Sequence, residues 1–201
     1  MRSHPDIAIE HEEVLSDGFL QTKRYRLRHR RFDGGWTPTV VREVCVRGLA
    51  VGVLLYDPVA DAVVMVEQFR PGAAEGGGPA WLTEIVAGMV KPGEAPQDVA
   101  RREAWEEAGA QVSDLVEICT YYPSPGILSE KVAVFCGRVD SAKVGAFGGL
   151  PEEHEDIKIT VVSADAAVGL LDADRLNNSI AIVALGWLAR RRDSLRAAWL
   201  G

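Results

Sequence analysis

Hydrophobic and polar positions change period several times along this 201-residue chain. Residues 5–46 mix strand-forming and charged side chains. Within them, 19–29 alternates, with Lys23, Tyr25 and Leu27 set against Arg24, Arg26 and Arg28. A period of two predicts a strand with one polar face. Asp33-Gly34-Gly35 supplies a turn and 36–47 returns as a second strand, so a hairpin is expected. Such strands have edges that need covering, and a partner subunit would cover them. The run LAVGVLLY at 49–56 is apolar at nearly every position, as in a strand buried on both faces. Strands follow at 62–69 and 81–86. Between them Arg70-Pro71-Gly72 opens a Gly-rich loop through Gly76-Gly77-Gly78-Pro79, predicted to be mobile.

At 96–108 the period lengthens to that of a helix. Pro96 suits the first helical position and Gly109 the stop. Val99, Trp105 and Ala104 are expected to face the core, with the acids turned away. Strands at 115–122 and 131–139 flank Pro123-Ser124-Pro125-Gly126, which two prolines stiffen. Residues 143–156 read as an acidic loop ending PEEHED, and 157–162 as a strand. Ser163 is placed to cap a short helix with Asp165 in its first turn. A last helix spans about 179–199, with Ile182, Leu185 and Leu188 at helical spacing. Strands mixed with a few helices predict an α+β fold or a sandwich. The length suits one domain with an extension: 1–47 as an N-terminal β extension and 48–201 as the main domain.

Composition narrows the picture. Apolar and charged fractions of 47% and 25% are those of a soluble globular protein. A net charge of −7 disfavours a nucleic-acid surface, so a phosphate-bearing substrate needs local arginines or a metal. Cys45, Cys119 and Cys136 follow no metal-ligand spacing and read as reduced, mostly buried thiols of a cytoplasmic protein. MRSHPDIAIEHEE carries no signal-peptide core, and the apolar run at 180–189 is too short to span a membrane, so no membrane partner is expected.

The chemistry concentrates at 88–110, GMVKPGEAPQDVARREAWEEAGA. Glu103, Glu106 and Glu107 fall at i, i+3 and i+4 and share one helix face, where like charges repel. Together with Glu94 they offer hard oxygen ligands, which suit Mg²⁺ or Mn²⁺. A solvated acidic face is the plain alternative. The adjacent Arg101 and Arg102 and the bracketing glycines weigh against it. The positions Gly88, Glu94, Arg102, Glu103, Ala104, Glu106, Glu107, Gly109 and Ala110 fill G-x5-E-x7-R-E-U-x-E-E-x-G-U, where U is bulky and apolar; Ala104 and Ala110 are small for U. The stretch resembles the box of the Nudix hydrolases, which cleave a nucleoside diphosphate linked to another group.

That resemblance implies an α/β/α sandwich in which Glu103 and Glu107 bind metal directly. It makes Glu106 a direct or water-mediated ligand and the Ala87 carbonyl a further one, with Mg²⁺ the expected ion and Mn²⁺ possible. Glu94 would fold back on Arg102. Pro125 lies sixteen residues after Gly109, within YPSPGILSE, and this spacing resembles the ADP-ribose pyrophosphatase subgroup over about 18–199. The subgroup implies a small-molecule nucleoside diphosphate sugar as substrate and a homodimer built through the extension, which subunits can exchange. It implies phosphate and ribose contacts from Arg42 and Arg70 and adenine stacking on Phe19, with Glu130 beside these substrate-binding residues to assist metals or order the late loop. Glu84 would touch the site or form a strand-end salt bridge. The proton-accepting carboxylate is expected in the late loop, at Glu153 first and Glu155 second, with His154 a rival. A hydrolase of another nucleoside diphosphate sugar, such as GDP-mannose, or a non-catalytic ADP-ribose sensor are the alternatives.

Overall fold

The structure, a computed structural model, describes residues 3–173 and 175–201. Residues 1 and 2 of the expected 1–47 extension lie outside the described residues. The chain folds as two compact units. One runs through Gly48 and takes in Tyr122–Lys131; the other comprises Leu49–Tyr121 and Val132–Gly201.

In the first unit, β1 (Ile7–Asp17), β2 (Gln21–His29) and β3 (Val40–Val46) form an antiparallel sheet in that order. The expected hairpin is β2–β3. The basic side chains of β2 meet acids on both neighbours: Lys23 and Glu12 are 2.7 Å apart, Arg28 and Glu10 3.0 Å, Arg24 and Glu43 2.7 Å. Such exposed cross-strand pairs contribute a few tenths of a kcal/mol each, roughly, and mainly hold register. Tyr25 and Leu27 are buried. Tyr122–Lys131 is tied to the end of β3. The Cys45 amide donates to the Ile127 carbonyl at 2.8 Å, and the Ser129 hydroxyl donates to the Arg47 carbonyl at 2.8 Å.

The second unit is a sandwich. Its strands are β4 (Leu49–Asp57), β5 (Ala62–Phe69), β6 (Trp81–Glu84), β7 (Val86–Met89), β8 (Leu115–Tyr121), β9 (Lys131–Arg138), β10 (Phe147–Gly148) and β11 (Ile157–Ser163). They are ordered β10-β11-β5-β4-β9-β8, with β6 on β5 and β7 on β4. Its helices are α1 (Pro71–Glu75), α2 (Pro96–Ala108), α3 (Ala164–Asp172) and α4 (Ser179–Leu200). The apolar run of β4 is buried on both faces, as its composition predicts. Leu54 and Tyr56 pack with Ala164, Leu185 and Leu188 of α3 and α4. Val51, Val53 and Leu55 pack with Val99, Ala100, Ala104 and Ala108 of α2. A Leu→Ala change in either layer costs on the order of 2–5 kcal/mol. No helix among the described residues is long and apolar enough to cross a membrane.

Several local expectations change. The strand expected at 81–86 breaks at Ile85, so β6 pairs with β5 while β7 pairs with β4 and carries Gly88 in a strand. The Gly-rich loop begins with the short helix α1, which Pro71 opens. Of the cysteines only Cys136 is buried; Cys45 and Cys119 are half-buried. The facing of α2 is reversed at two points. Trp105 is 65% exposed, whereas Glu107 is 3% exposed and faces inward. The helix lies against the sheet on alanines, and such close approach leaves room for Ala100, Ala104 and Ala108 but not for an indole. The remaining places on that face fall to Glu103 and Glu107, one turn apart.

Candidate active site

Helix α2 begins at Pro96 after an extended Ala95 and ends at Gly109, whose φ of 61° is left-handed. Its inner face sets Glu103 against β7. A Cβ at Gly88 would fall 1.8 Å from Glu103 Oε1, so only glycine leaves this carboxylate its place. One turn on, Glu107 Oε2 accepts from the Ala87 amide at 3.3 Å. Arg102 gathers the remaining acids. Its Nε donates to Glu94 Oε1 at 3.1 Å, and its Nη1 lies 2.8 Å from both Glu103 Oε1 and Glu106 Oε2. Glu94 in turn accepts from the Lys91 amide at 2.8 Å, which with Arg102 holds its carboxyl below the usual range.

The late loop reaches this helix through a hydrogen bond from the Gly149 amide to the Glu106 carbonyl, at 3.2 Å. Glu155 Oε2 accepts from the Leu150 amide at 3.1 Å. Its charge is felt at both inner acids. Burial pushes the Glu107 carboxyl up to about 8, with the charges of Glu103 and Glu155 adding to it. Burial likewise raises Glu103, and the neighbouring carboxylates outweigh part of the relief from Arg102. Glu153 is exposed in the turn Pro151–Glu153, and His154 follows it, exposed, at a left-handed φ of 55°.

Arg70 ends β5. Its Nε and Nη2 both reach Glu84 Oε2, at 2.9 and 2.8 Å, and its charge partly offsets the rise at Glu107. The expected site residues of the first unit group separately. Phe19 is 90% exposed, with the Arg47 guanidinium 5.2 Å above its ring, and Arg47 lies 3.8 Å from Glu130. Arg42 stands apart from them on β3, opposite Tyr25, its Nη1 donating to the Val41 carbonyl at 2.7 Å.

The donor chemistry suits a divalent cation. Buried carboxylates with raised proton affinity are those that gain most from added positive charge, and they are hard oxygen donors. As placed, no three acidic, histidine or cysteine side chains among the described residues converge on one point. Arg102 is the standing counter-charge instead.

A model of the NUDIX domain matches residues 46–182. The chain belongs to the NUDIX family. An ADP-ribose pyrophosphatase of Haemophilus influenzae is 42% identical over 98% of this chain and 92% of its own length. A GDP-mannose pyrophosphatase of Pectobacterium atrosepticum is 29% identical over 92% of this chain and 97% of its own length. The crystal structure of an ADP compounds hydrolase superposes with a TM-score of 0.70 at 18% identity, over 95% of this chain and 98% of that one, and so shares the fold.

Within the NUDIX match lie the box acids, Arg70, Glu84, the late loop and Asn178; Phe19 and Arg42 lie outside it. Sequence reasoning paired Arg102 with Glu94 alone, although its spacing of four to Glu106 is legible on a helix. It passed over Asn178 except as a residue before the last helix. Its side chain in fact donates to Glu84 Oε1 at 2.6 Å, across 94 residues of sequence.

Proposed function

We propose that this NUDIX hydrolase cleaves the pyrophosphate bond of ADP-ribose or a related ADP-sugar, giving AMP and a sugar phosphate. One observation carries the reading: the 42% identity to an ADP-ribose pyrophosphatase extends over nearly the whole of both chains. Water oxygen bonds to one phosphorus, the bridging P–O bond breaks, and the bridging oxygen leaves on the other phosphate. Glu103 and Glu107, with Glu106 and the Ala87 carbonyl, would hold Mg²⁺ or Mn²⁺, which supplies positive charge against the pyrophosphate and a lower pKa for the attacking water. Arg70 meets substrate phosphate with the guanidinium edge that Glu84 leaves open. Arg102 keeps Glu94 and Glu106 in place.

A late-loop carboxylate takes the proton from water. Glu155 is the one whose charge reaches Glu103 and Glu107, and Glu153 the one that is exposed. Glu153→Gln and Glu155→Gln separate them. The variant that loses about 10²–10⁴-fold in kcat at little change in KM marks the base. In the first unit, Phe19 offers a ring for adenine, Arg42 a phosphate contact, and Glu130 steadies Arg47. The exposed Val14, Phe32 and Val41 support a homodimer through 1–47, joined to a catalytic domain at 48–201. Three free thiols suit the cytoplasm.

The experiment is turnover with Mg²⁺ of ADP-ribose against GDP-mannose, products resolved by chromatography. Release of AMP and ribose 5-phosphate from ADP-ribose at higher kcat/KM supports the reading. Preference for GDP-mannose would favour the second reading, which the Pectobacterium relative supports at lower identity.

A further inference from the structure

Glu84 is buried and has both oxygens engaged. Oε2 takes Nε and Nη2 of Arg70, at 2.9 and 2.8 Å. Oε1 takes Nδ2 of Asn178 at 2.6 Å. Asn178 is itself fixed from the other side. Its Oδ1 caps α4, accepting from the Ile180 and Ala181 amides at 3.0 and 3.2 Å. These bonds leave its carboxamide one orientation, with oxygen toward the helix and nitrogen toward Glu84. The chain of contacts runs from the N-terminus of a 22-residue helix, through Asn178 and Glu84, to the guanidinium of Arg70. Arg70 is thereby held by its Nε/Nη2 edge. No partner among the described residues touches Nη1, so the Nη1/Nη2 edge is presented outward.

We propose that Asn178 is the positioning residue for Arg70: acting through Glu84, it fixes which edge of the guanidinium meets the substrate phosphate. The proposal rests on the reading of Arg70 as a phosphate-binding residue. A planar fork binds phosphate well only when it is already oriented, since a long side chain otherwise loses freedom on binding. Glu84 alone does not fix that orientation. With Oε1 unpartnered, the carboxylate turns about its own torsions and takes Arg70 with it. The Asn178 amide removes that freedom and ties the position of Arg70 to a rigid element. It also satisfies a buried oxygen that would otherwise lack a donor.

The cap and the relay can be separated. Asn178→Ser keeps a good N-cap for α4 but is too short to reach Glu84. Asn178→Asp keeps the cap and sets a second carboxylate against Glu84. The expected result for Asn178→Ser is a Tm lowered by about 2–8 °C, through the unpaired buried oxygen of Glu84 and not through the cap, and a KM for ADP-ribose raised about 10-fold at nearly unchanged kcat. In an Arg70→Ala background the same substitution changes KM no further. The Nε–Hε resonance of Arg70, assigned by its loss in Arg70→Lys, exchanges slowly in wild type and broadens in both Asn178 variants. An unchanged resonance, or Asn178→Ser and Arg70→Ala effects that multiply, would overturn the relay. Absent turnover of ADP-ribose by wild type would instead overturn the proposed substrate, and the resonance would still decide whether Asn178 holds Arg70.

Discussion

Two acidic clusters in the second unit make opposite use of charge. Asp61 lies in the turn between β4 and β5, at a φ of 53°. Its Oδ1 accepts from Tyr56 Oη at 2.6 Å and from Arg192 Nε at 2.8 Å, and Arg196 lies 3.7 Å from its Oδ2. The Arg192 hydrogen bonds hold its carboxyl down at about 2, against the small cost of burial. Glu107 is buried more deeply with one long amide bond and two like-charged neighbours, and its carboxyl rises to about 8. The first cluster pins α4 to the sheet and is complete in itself. The second is left short of positive charge, as expected of the proposed ligand site and not of a brace.

The sharpest contrast comes from neutralising each acid. Glu107→Gln should abolish turnover, by at least about 10³-fold, because on the proposed reading it removes a metal-binding carboxylate oxygen and its charge. The same change should raise the Tm of metal-free protein by several degrees at pH 8. A raised carboxyl favours the fold in its neutral form. That contribution is whole below the unfolded pKa, roughly 4.3, and is lost as pH climbs through about 8. The gain from Gln should therefore vanish near pH 4.5. Thermal melts across pH check both arms.

Asp61→Asn should do the reverse, keeping a residue that tolerates left-handed backbone while removing the charge. At pH 7 a loss of about 2 kcal/mol is expected, seen as a Tm about 4–8 °C lower, with kcat per folded molecule nearly unchanged. A depressed carboxyl contributes stability that is whole above its unfolded pKa, roughly 3.9. That stability is lost as pH falls toward about 2, so the two proteins should converge in stability there. Equal pH profiles for the Asp61 and Glu107 variants would remove the distinction between brace and site. The smallest effect is expected at Trp105. Its exposure predicts that Trp105→Ala shifts stability by no more than about 0.5 kcal/mol in urea unfolding.

Much of the frame was legible. The apolar run of β4 announced a strand buried on both faces, and Pro96 and Gly109 bounded α2 at the residues where it begins and stops. The facing of α2 was not legible by the rule that bulk goes inside and charge outside. The alanines that looked small for the pattern, Ala104 and Ala110, are the buried ones, and Trp105 is displaced outward. Glu107 is buried against the usual preference of a carboxylate, and hydropathy carries no sign of it; the spacing of the box residues does. The tie from Asn178 to Glu84 joins residues 94 apart, and local patterning does not encode such pairings. Only its capping half, an Asn before a helix, was open to sequence.

The central claim is that Glu107, unlike Glu103 with Arg102 at 2.8 Å, lacks the positive partner that a divalent cation would provide. Its most direct test is the Mg²⁺-induced change in Tm of wild type and Glu107→Gln at pH 8 and pH 5.5. The expected result is a clear rise for wild type at pH 8, little at pH 5.5, and almost none for the variant at either. An equal rise in both proteins at pH 8 would show that the ion binds elsewhere and contradict the account.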